Sequence, residues 1–280
     1  MKKYNFVIDV AKCENCNNCF LSCKDEHCGN DWPGYSLSQP LHGHRWMNIS
    51  RRERGQFPLI DVAYLPKPCM HCDDAPCIVA AKNEAVYKRD DGIVIIDPEK
   101  AKGQKEIVAA CPYGAVWWNE EEQVPQKCTF CAHLLDKGWK VPRCVQVCPT
   151  GALSILHIED EELAKLRASE KLETLACGKL DTQPRVYYKN LHRFNKFIIV
   201  GSVATGEEGA TECVVGATVR LINEGNVISE QETDDFGDYK FDGLLENTGS
   251  YEIEVVYTGK STRKEVGELQ KSSFVGTLWI

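Results

Sequence analysis

The cysteines are the residues of this chain whose spacing points most directly to chemistry. Fifteen occur among 280 residues, and twelve of them fall in four groups between Cys13 and Cys148. The first group, CENCNNCFLSC, has two two-residue gaps followed by a three-residue gap. This spacing wraps three thiolates around one iron–sulfur cubane and sends the fourth thiolate to a neighbouring cubane. The first group therefore predicts that the chain binds iron–sulfur clusters.

The last group of cysteines completes the same arrangement in reverse. It consists of CTFC and, after twelve residues, CVQVC followed by Pro149. The last cysteine of each group, Cys23 or Cys148, is its outgoing cysteine. It is expected to bind the cluster whose other three ligands come from the other group, so that the two ends of this region meet. We assign cluster 1 to Cys13, Cys16, Cys19 and Cys148. We assign cluster 2 to Cys23, Cys128, Cys131 and Cys144.

The middle group, CMHCDDAPC, supplies three further cysteines. A fourth, Cys111, begins a sequence CPYGA that parallels CPTGA at Cys148. Cys111 is interpreted as the outgoing cysteine of a second ferredoxin-type unit that lacks its own three leading cysteines. Such a degenerate unit holds one cluster where a complete unit holds two. We assign cluster 3 to Cys69, Cys72, Cys77 and Cys111, which predicts three [4Fe–4S] clusters in total.

Zinc and disulfides are the alternatives for a cysteine-rich chain. Zinc favours two separated CxxC pairs that close one tetrahedral site, and an odd cysteine count in a chain of this length is not typical of a disulfide framework. The spacing favours iron–sulfur clusters over both. Cys28, Cys177 and Cys213 lie outside every group and are expected to be buried apolar residues or inert thiols. His71, inside CMHC, is expected to lie beside cluster 3 or at the surface without ligating it, because four thiolates fill that site.

An arginine-rich segment, HGHRWMNISRRERG, follows the first cysteine group. It is either a solvated loop face or a docking surface for a partner, since arginine and tryptophan are enriched at interface anchors. The candidate interface residues are Arg45, Trp46, Arg51, Arg52 and Arg54.

The remaining sequence excludes several classes of function. A net charge of -8 argues against a general nucleic-acid role. No stretch of eighteen or more apolar residues occurs, and the N-terminus shows neither a twin-arginine pair nor an apolar signal core, so we expect a cytoplasmic protein without a transmembrane segment. Phosphate-binding loops, HExxH and GxSxG motifs are missing from the sequence, and we assign no catalytic residue to this chain. Substrate chemistry is therefore expected on another polypeptide.

Cysteine density divides the chain into two predicted domains of an α+β protein. Residues 1–195 form a ferredoxin-like domain with two ferredoxin-type units, one of them degenerate. This domain ends with a charged amphipathic helix opened by Asp160, with apolar positions at Leu163, Leu166, Leu172 and Leu175, and then an extended tail, TQPRVYYKNLHRF. Residues 196–280 form a small all-β sandwich or barrel, whose segment DDFGDYKFDGLLENTGSYEIEV resembles transthyretin-like domains. Its seven predicted strands are Phe197–Val203, Ala217–Asn223, Asn226–Thr233, Asp238–Leu244, Tyr251–Tyr257, Ser261–Val266 and Ser273–Trp279.

Residues 1–194 resemble the iron–sulfur subunits of molybdopterin oxidoreductases of the dimethyl-sulfoxide-reductase family. Those subunits usually carry four clusters, and the loss of one motif together with the β domain resembles the small subunits of the pyrogallol–phloroglucinol transhydroxylases and the related resorcinol hydroxylases. The segments that carry this closer resemblance are VIDVAKCENCNNCF, WPGY, GHRWMNISRRERG, DPEKAKG, WNEEE, QKCTFCAHLLD and PRVYYKNLHRF. The resemblance implies a large catalytic partner subunit with a molybdenum or tungsten bis-pyranopterin cofactor, where hydroxyl groups are transferred or added on polyhydroxylated aromatics.

Several functions remain open on the sequence alone. A transhydroxylase has no net redox change, so its clusters would poise the metal centre, whereas a hydroxylase would export electrons through them. The partner could instead act on a sulfur or nitrogen oxide or on formate. A freestanding polyferredoxin without a partner and a structural zinc protein are the alternatives from other classes.

Overall fold

The computed structural model describes residues 1–176, 178, 180–206 and 211–280. The chain divides into two compact units. Unit 1 comprises Met1–Ser50 and Tyr64–Leu191, and unit 2 comprises Arg51–Ala63 and His192–Ile280. The predicted boundary near residue 195 lies close to the start of the second segment of unit 2. The assignment of residues 51–63 to unit 2 was not predicted.

Short elements dominate the chain up to residue 195, because the cysteine loops interrupt regular structure. In chain order the elements are β1 (Lys3–Asp9), α1 (Asn18–His27), β2 (Asn48–Gln56), β3 (Leu59–Lys67), α2 (Pro76–Ala80), β4 (Val86–Lys88), β5 (Val94–Ile96), α3 (Glu106–Ala109), β6 (Trp117–Asn119), β7 (Val124–Gln126), α4 (Ala132–Leu135), α5 (Arg143–Gln146), β8 (Leu153–Ile158), α6 (Asp160–Ser169), β9 (Val186–Lys189) and α7 (His192–Asn195).

A three-stranded sheet ties the two ends of unit 1 together. Strand β1 lies in the middle, antiparallel to β8 and parallel to β9. On one face of this sheet, Val7 and Tyr187 are buried against Leu163 of α6 and against Leu172. The predicted extended tail thus contains β9, whose pairing with β1 could not be read from local sequence.

The charged helix begins at Asp160 as predicted but ends at Ser169, so Leu172 and Leu175 lie beyond it. The helix ends because Lys171 adopts a left-handed conformation, with φ of 51°. The amide of Leu172 then donates to the carbonyl of Arg167, which is the bond that closes a Schellman motif. This turn carries Leu172 back into the core beneath the helix.

We expect Lys171→Gly to stabilise unit 1 by about 0.5–1 kcal/mol, because glycine adopts the left-handed conformation without the steric cost that a Cβ imposes. Lys165→Gly is the matched control: Lys165 is equally exposed but lies inside α6. There the same substitution should destabilise by about 1 kcal/mol. Thermal unfolding of the two variants should therefore shift in opposite directions, and shifts of the same sign would contradict the assigned helix end.

Between Phe197 and Trp279, the described part of unit 2 forms eight strands in two four-stranded sheets. One sheet has the order β11-β10-β14, with β17 parallel to β10, and the other has the order β13-β12-β15-β16. Apolar side chains from both sheets, including Ile199, Phe241, Leu221 and Ile253, share one buried core. Each of the seven predicted strands overlaps an observed strand. The strands are β10 (Phe197–Thr205), β11 (Glu212–Cys213), β12 (Thr218–Asn223), β13 (Asn226–Glu232), β14 (Asp238–Leu244), β15 (Ser250–Tyr257), β16 (Lys260–Glu268) and β17 (Ser273–Trp279).

The arginine-rich segment is largely internal to the chain, and its prediction as a docking surface is wrong for two residues. Arg54 and Trp46 are each 2 % exposed. Arg54 has two carboxylate partners inside unit 2, Asp61 and Asp242, and it also donates to the carbonyl of His192. The alternation that places Arg54 inward in β2 is not visible in a segment this rich in charge.

The other three candidate interface residues also have partners within their own units. Arg45 stacks on the ring of Phe20, at 4.3 Å from its centroid. Arg52 donates to the carbonyl of Phe194. Arg51 is exposed and forms an ion pair with Glu53. Among the five, Arg51 alone keeps the solvent-facing character that a docking surface needs.

No helix in the described part of the chain is long and apolar enough to span a membrane.

Candidate iron–sulfur sites

Three CxxC loops of unit 1 share one backbone conformation. The residue before the second cysteine is Asn15, His71 or Phe130, and its φ is 56°, 46° or 59° respectively. This left-handed residue turns its amide toward the first cysteine of the loop. The amides of His71 and Phe130 each lie 3.4 Å from the Sγ atom of Cys69 and Cys128, and the Asn15 amide hydrogen-bonds Cys13 in the same way. Each loop thus directs a backbone N–H donor at a sulfur, where it can hydrogen-bond a thiolate ligand.

We refer to the cysteine sets predicted for clusters 1, 2 and 3 as sites 1, 2 and 3. The structure brings the four cysteines of site 3 to the wall of one cavity. His71, Val94 and Tyr113 complete much of that wall. Cys77 is carried by α2 and Cys111 follows α3, and these two short helices pack against each other. A long gap in sequence between these two cysteines is therefore closed by tertiary packing.

The four cysteines of site 2 line a second cavity, together with His27, Trp46 and Arg143. Three of these cysteines, Cys128, Cys131 and Cys144, are less than a tenth exposed. Burial raises the pKa of the Cys23 and Cys144 thiols well above the ordinary value, and each is raised further by neighbouring cysteines of the set. The shared cavity thus brings the four predicted cysteines of site 2 together.

The cysteines of site 1 meet at the N-terminal end of α1. Burial raises the pKa of Cys13, and the neighbouring Cys148 and Cys16 raise it further. Burial is also the main reason that the pKa of Cys19 rises to about 12, and all three other members of the set add to that rise. Cys16, in contrast, is exposed. Site 1 therefore includes one cysteine, Cys16, that lies at the surface of unit 1.

Two packed helices explain how the chain crosses between sites 1 and 2. Cys19 and Cys23 lie one turn apart in α1, so that their side chains follow each other along one helix face. Cys144 lies on the packed helix α5, and Cys148 lies just beyond the end of that helix. Helix α1 thus supplies one cysteine to each site, and so does α5 together with the turn that follows it. The three-residue gap that predicted the crossing is the spacing of one helical turn.

The parallel sequences CPYGA and CPTGA form the same turn. The amide of Gly114 donates to the carbonyl of Cys111, and the amide of Gly151 donates to the carbonyl of Cys148. Both glycines have positive φ, 61° and 63°, which explains why glycine occupies this position in both copies. The internal repeat inferred from the sequence is therefore also a repeat of backbone conformation.

The three sites follow one another in the order 1–2–3. Cys144 of site 2 is influenced electrostatically by Cys19 of site 1, and Cys128 of site 2 by Cys69 of site 3. The indole of Trp46 packs in one apolar cluster with Cys69 and Cys128. Site 2 is consequently the central site of the series.

The donor chemistry of the three sets fits four-thiolate binding of a cubane. Burial raises the pKa of Cys72 and Cys131 to about 12 and that of Cys77 and Cys128 to about 11. Binding must displace these protons, because the thiolate is the ligand. Within the described residues, no three His, Cys, Asp or Glu side chains are grouped closely enough to hold a single metal ion.

Residues beyond the cysteines also shape these sites, and sequence reasoning missed most of them. His27 follows Cys19 and Cys23 at the same four-residue spacing along α1 and lines the cavity of site 2; that periodicity is a signal that could have found it. Thr182 hydrogen-bonds Cys72 from the segment predicted as an extended tail. No local signal identifies Thr182, since its position depends on the pairing of β9.

The three cysteines outside the predicted sets differ in environment. Cys28 is partly buried, with its Sγ atom 3.6 Å from the carbonyl oxygen of Pro40. Cys213 is exposed and lies in the two-residue edge strand β11, which excludes the buried alternative and leaves the expectation of an inert thiol. Cys177 lies outside the described residues.

Known proteins support an iron–sulfur role for this chain. Residues 60–158 match the family of 4Fe-4S dicluster domains. The pyrogallol hydroxytransferase small subunit of Pelobacter acidigallici is 52% identical over 265 residues, which cover 93% of each chain. A putative dimethyl sulfoxide reductase iron-sulfur subunit of Halobacterium salinarum is 34% identical and covers 68% of this chain and 80% of its own length. The thiosulfate reductase electron transfer subunit of Salmonella typhi is 31% identical and covers 58% of this chain and 80% of its own.

Proposed function

This chain belongs to the family of the pyrogallol hydroxytransferase small subunit, among the iron–sulfur electron-transfer subunits of the dimethyl-sulfoxide-reductase family, and we propose that it serves a molybdopterin enzyme that transfers hydroxyl groups on polyhydroxylated aromatics. The catalytic partner is a larger subunit with a molybdenum or tungsten bis-pyranopterin cofactor. This chain holds three [4Fe–4S] clusters and contributes no catalytic residue.

The succession of sites 1, 2 and 3 carries the electron-transfer part of this proposal, and the similarity to the pyrogallol hydroxytransferase small subunit carries its substrate class. The two cavities of sites 2 and 3 are each lined by four cysteines, and Trp46, Cys69 and Cys128 pack together where the two sites approach. Bound [4Fe–4S] clusters supply one-electron transfer. The chain's own residues limit the access of water to sites 2 and 3, since three of the four cysteines of each site are buried.

The ligand sets of the proposal are those of the three sites. Cys13, Cys16, Cys19 and Cys148 hold cluster 1; Cys23, Cys128, Cys131 and Cys144 hold cluster 2; Cys69, Cys72, Cys77 and Cys111 hold cluster 3. The amide donors to Cys69 and Cys128 support this assignment, because hydrogen bonds to thiolate sulfur stabilise the charged ligand.

Unit 2 is proposed to be a transthyretin-like sandwich with a role in assembly. Its two sheets enclose an apolar core, and none of the three cysteine sets belongs to it. Removal of residues 196–280 alone would leave Arg54 without Asp242, so a deletion that tests this role must also shorten residues 51–63. A complex that stays fully assembled after such a deletion would contradict the assembly role. The cytoplasmic location stays a prediction.

Purification from the native host, followed by metal analysis and assays, tests the proposed function. We expect a second, larger subunit, one molybdenum or tungsten per complex, and conversion of pyrogallol without an added electron acceptor. Turnover of resorcinol only with an acceptor would replace the transhydroxylase by a hydroxylase. Clusters without a partner and without a second metal would overturn the proposal in favour of a polyferredoxin.

A further inference from the structure

His71 is a buried polar residue whose hydrogen bonding is only half satisfied. It lies between Cys69 and Cys72 in the loop of site 3, is 1 % exposed and lines the cavity of that site. Its Nδ1 atom lies 3.0 Å from the backbone nitrogen of Val94. Its Nε2 atom is buried and has no hydrogen-bond partner among the described residues. A buried polar atom in this state bears an uncompensated desolvation penalty unless a partner is bound there.

The contact with Val94 determines where the imidazole proton lies. A backbone amide is a donor, so Nδ1 must accept and therefore carries no proton. A neutral imidazole then has its proton on Nε2. The unsatisfied atom of His71 is thus an N–H donor, and the partner that it lacks must be an acceptor.

We infer that the Nε2–H group of His71 donates a hydrogen bond to a sulfur of the cluster held by Cys69, Cys72, Cys77 and Cys111, and that this bond raises the reduction potential of that cluster. The inference rests on the proposed ligand set of site 3. His71 is a positioning and tuning residue that leaves ligation to the four thiolates.

The sign follows from charge. Reduction adds one electron, and a donor directed at sulfur interacts more strongly with the more negative state. Hydrogen bonds to sulfur are among the factors that set cluster potentials. Removing the donor should therefore make reduction harder and lower the midpoint potential of this one cluster.

His44 provides a comparison within the same unit. It is also buried, but its Nε2 atom lies 2.9 Å from the carbonyl oxygen of Trp118 and so donates to the backbone. His44 does not line the cavity of site 2 or of site 3. The same substitution at His44 should disturb local packing without removing a donor to a cluster.

Two substitutions at His71 separate the two ring nitrogens. His71→Asn keeps an acceptor near the Nδ1 position for the amide of Val94, tolerates the positive φ of this residue, and removes the donor at the Nε2 position. His71→Gln places an amide NH₂ near the Nε2 position and gives up the acceptor at Nδ1. If His71 only supported the loop, His71→Gln would be the more disruptive change.

The measurement is an EPR-monitored redox titration of the intact, anaerobically purified complex, with iron counted for each variant. For His71→Asn we expect about twelve irons and one midpoint lowered, with the reduction equilibrium shifted about tenfold, or ~59 mV for one electron. His71→Gln and His44→Asn should keep all three midpoints. Unchanged midpoints in His71→Asn at full iron content would overturn the inference while leaving the ligand sets intact. A wild-type complex with fewer than three clusters would instead overturn the proposed function.

Labelling keeps the test decisive if His71→Asn fails to assemble. His27 is the other histidine on the wall of a described cysteine cavity, and the substitution His27→Phe removes its signal. The His27→Phe protein is therefore prepared with ring-¹⁵N histidine. Pulsed EPR of its reduced clusters should detect a ring-nitrogen coupling through the hydrogen bond. The absence of any such coupling would overturn the inference.

Discussion

Replacing Cys131 by alanine should remove one whole cluster and lower the iron content from about twelve to about eight per chain. Cys131 lines the cavity of site 2 and is 7 % exposed, so water has little access to replace the lost thiolate. Site 2 receives residues from α1 and α5 and from the loop that leads into α4. Because cluster binding is coupled to folding, we also expect faster proteolysis of unit 1 than in the unaltered chain.

Cys28→Ala is the matched control for this prediction. Cys28 immediately follows α1 and is partly buried, but it lies outside the three sites. Its replacement should leave the iron content and the proteolysis rate unchanged. Full iron content in the Cys131 variant, or loss of four irons in the Cys28 variant, would contradict the assignment of site 2.

Replacing Arg54 by methionine should destabilise unit 2 by about 3–5 kcal/mol, because breaking a buried ion pair leaves its partner charges uncompensated. The Arg54 side chain has no exposed surface, and its two partners, Asp61 and Asp242, are less than a fifth exposed. The Arg54 guanidinium is the leading interaction that lowers the pKa of Asp61 to about 2, against the desolvation that alone would raise it. Hydrogen exchange of the β14 amides, measured on the full chain, reports this loss directly.

Arg51→Met serves as the control on the same strand. Arg51 is exposed and pairs with Glu53 at the surface, where an ion pair contributes about 0–1 kcal/mol. Exchange in β14 should be unaffected. Equal effects of the two substitutions would contradict the internal role of Arg54.

The pH dependence of the same network has a definite sign. The folded pKa of Asp61 lies below its ordinary value of 3.8, so the stabilisation is fully present above that value. It is lost as the pH falls from about 4 toward about 2, when Asp61 becomes protonated. In the Arg54→Met protein this acid-dependent loss should be smaller.

The sequence alone could group the cysteines because the signal of each group is local. One helical turn separates Cys19 from Cys23, and a repeated glycine turn follows Cys111 and Cys148. The strands of unit 2 were predicted for the same reason, since a period of two in Tyr251–Tyr257 reflects one buried face of β15. Each of these patterns is complete within a short stretch of chain.

Sequence reasoning failed where a residue's role depends on partners far away in the chain. Arg54 belongs to a charged segment, and its burial depends on Asp242, which is distant in sequence. The donor role inferred for His71 depends on the amide of Val94. The local amino-acid composition around these residues does not predict these long-range contacts.

The number and type of clusters on this chain is the most direct test of the account. Iron and acid-labile sulfide should be counted per chain in the anaerobically purified complex, and the Mössbauer spectrum should be recorded on the same sample. Three cubanes predict about twelve irons and about twelve sulfides, all in [4Fe–4S] environments. A count of about eight irons, or a spectrum without [4Fe–4S] parameters, would contradict the assignment of sites 1, 2 and 3.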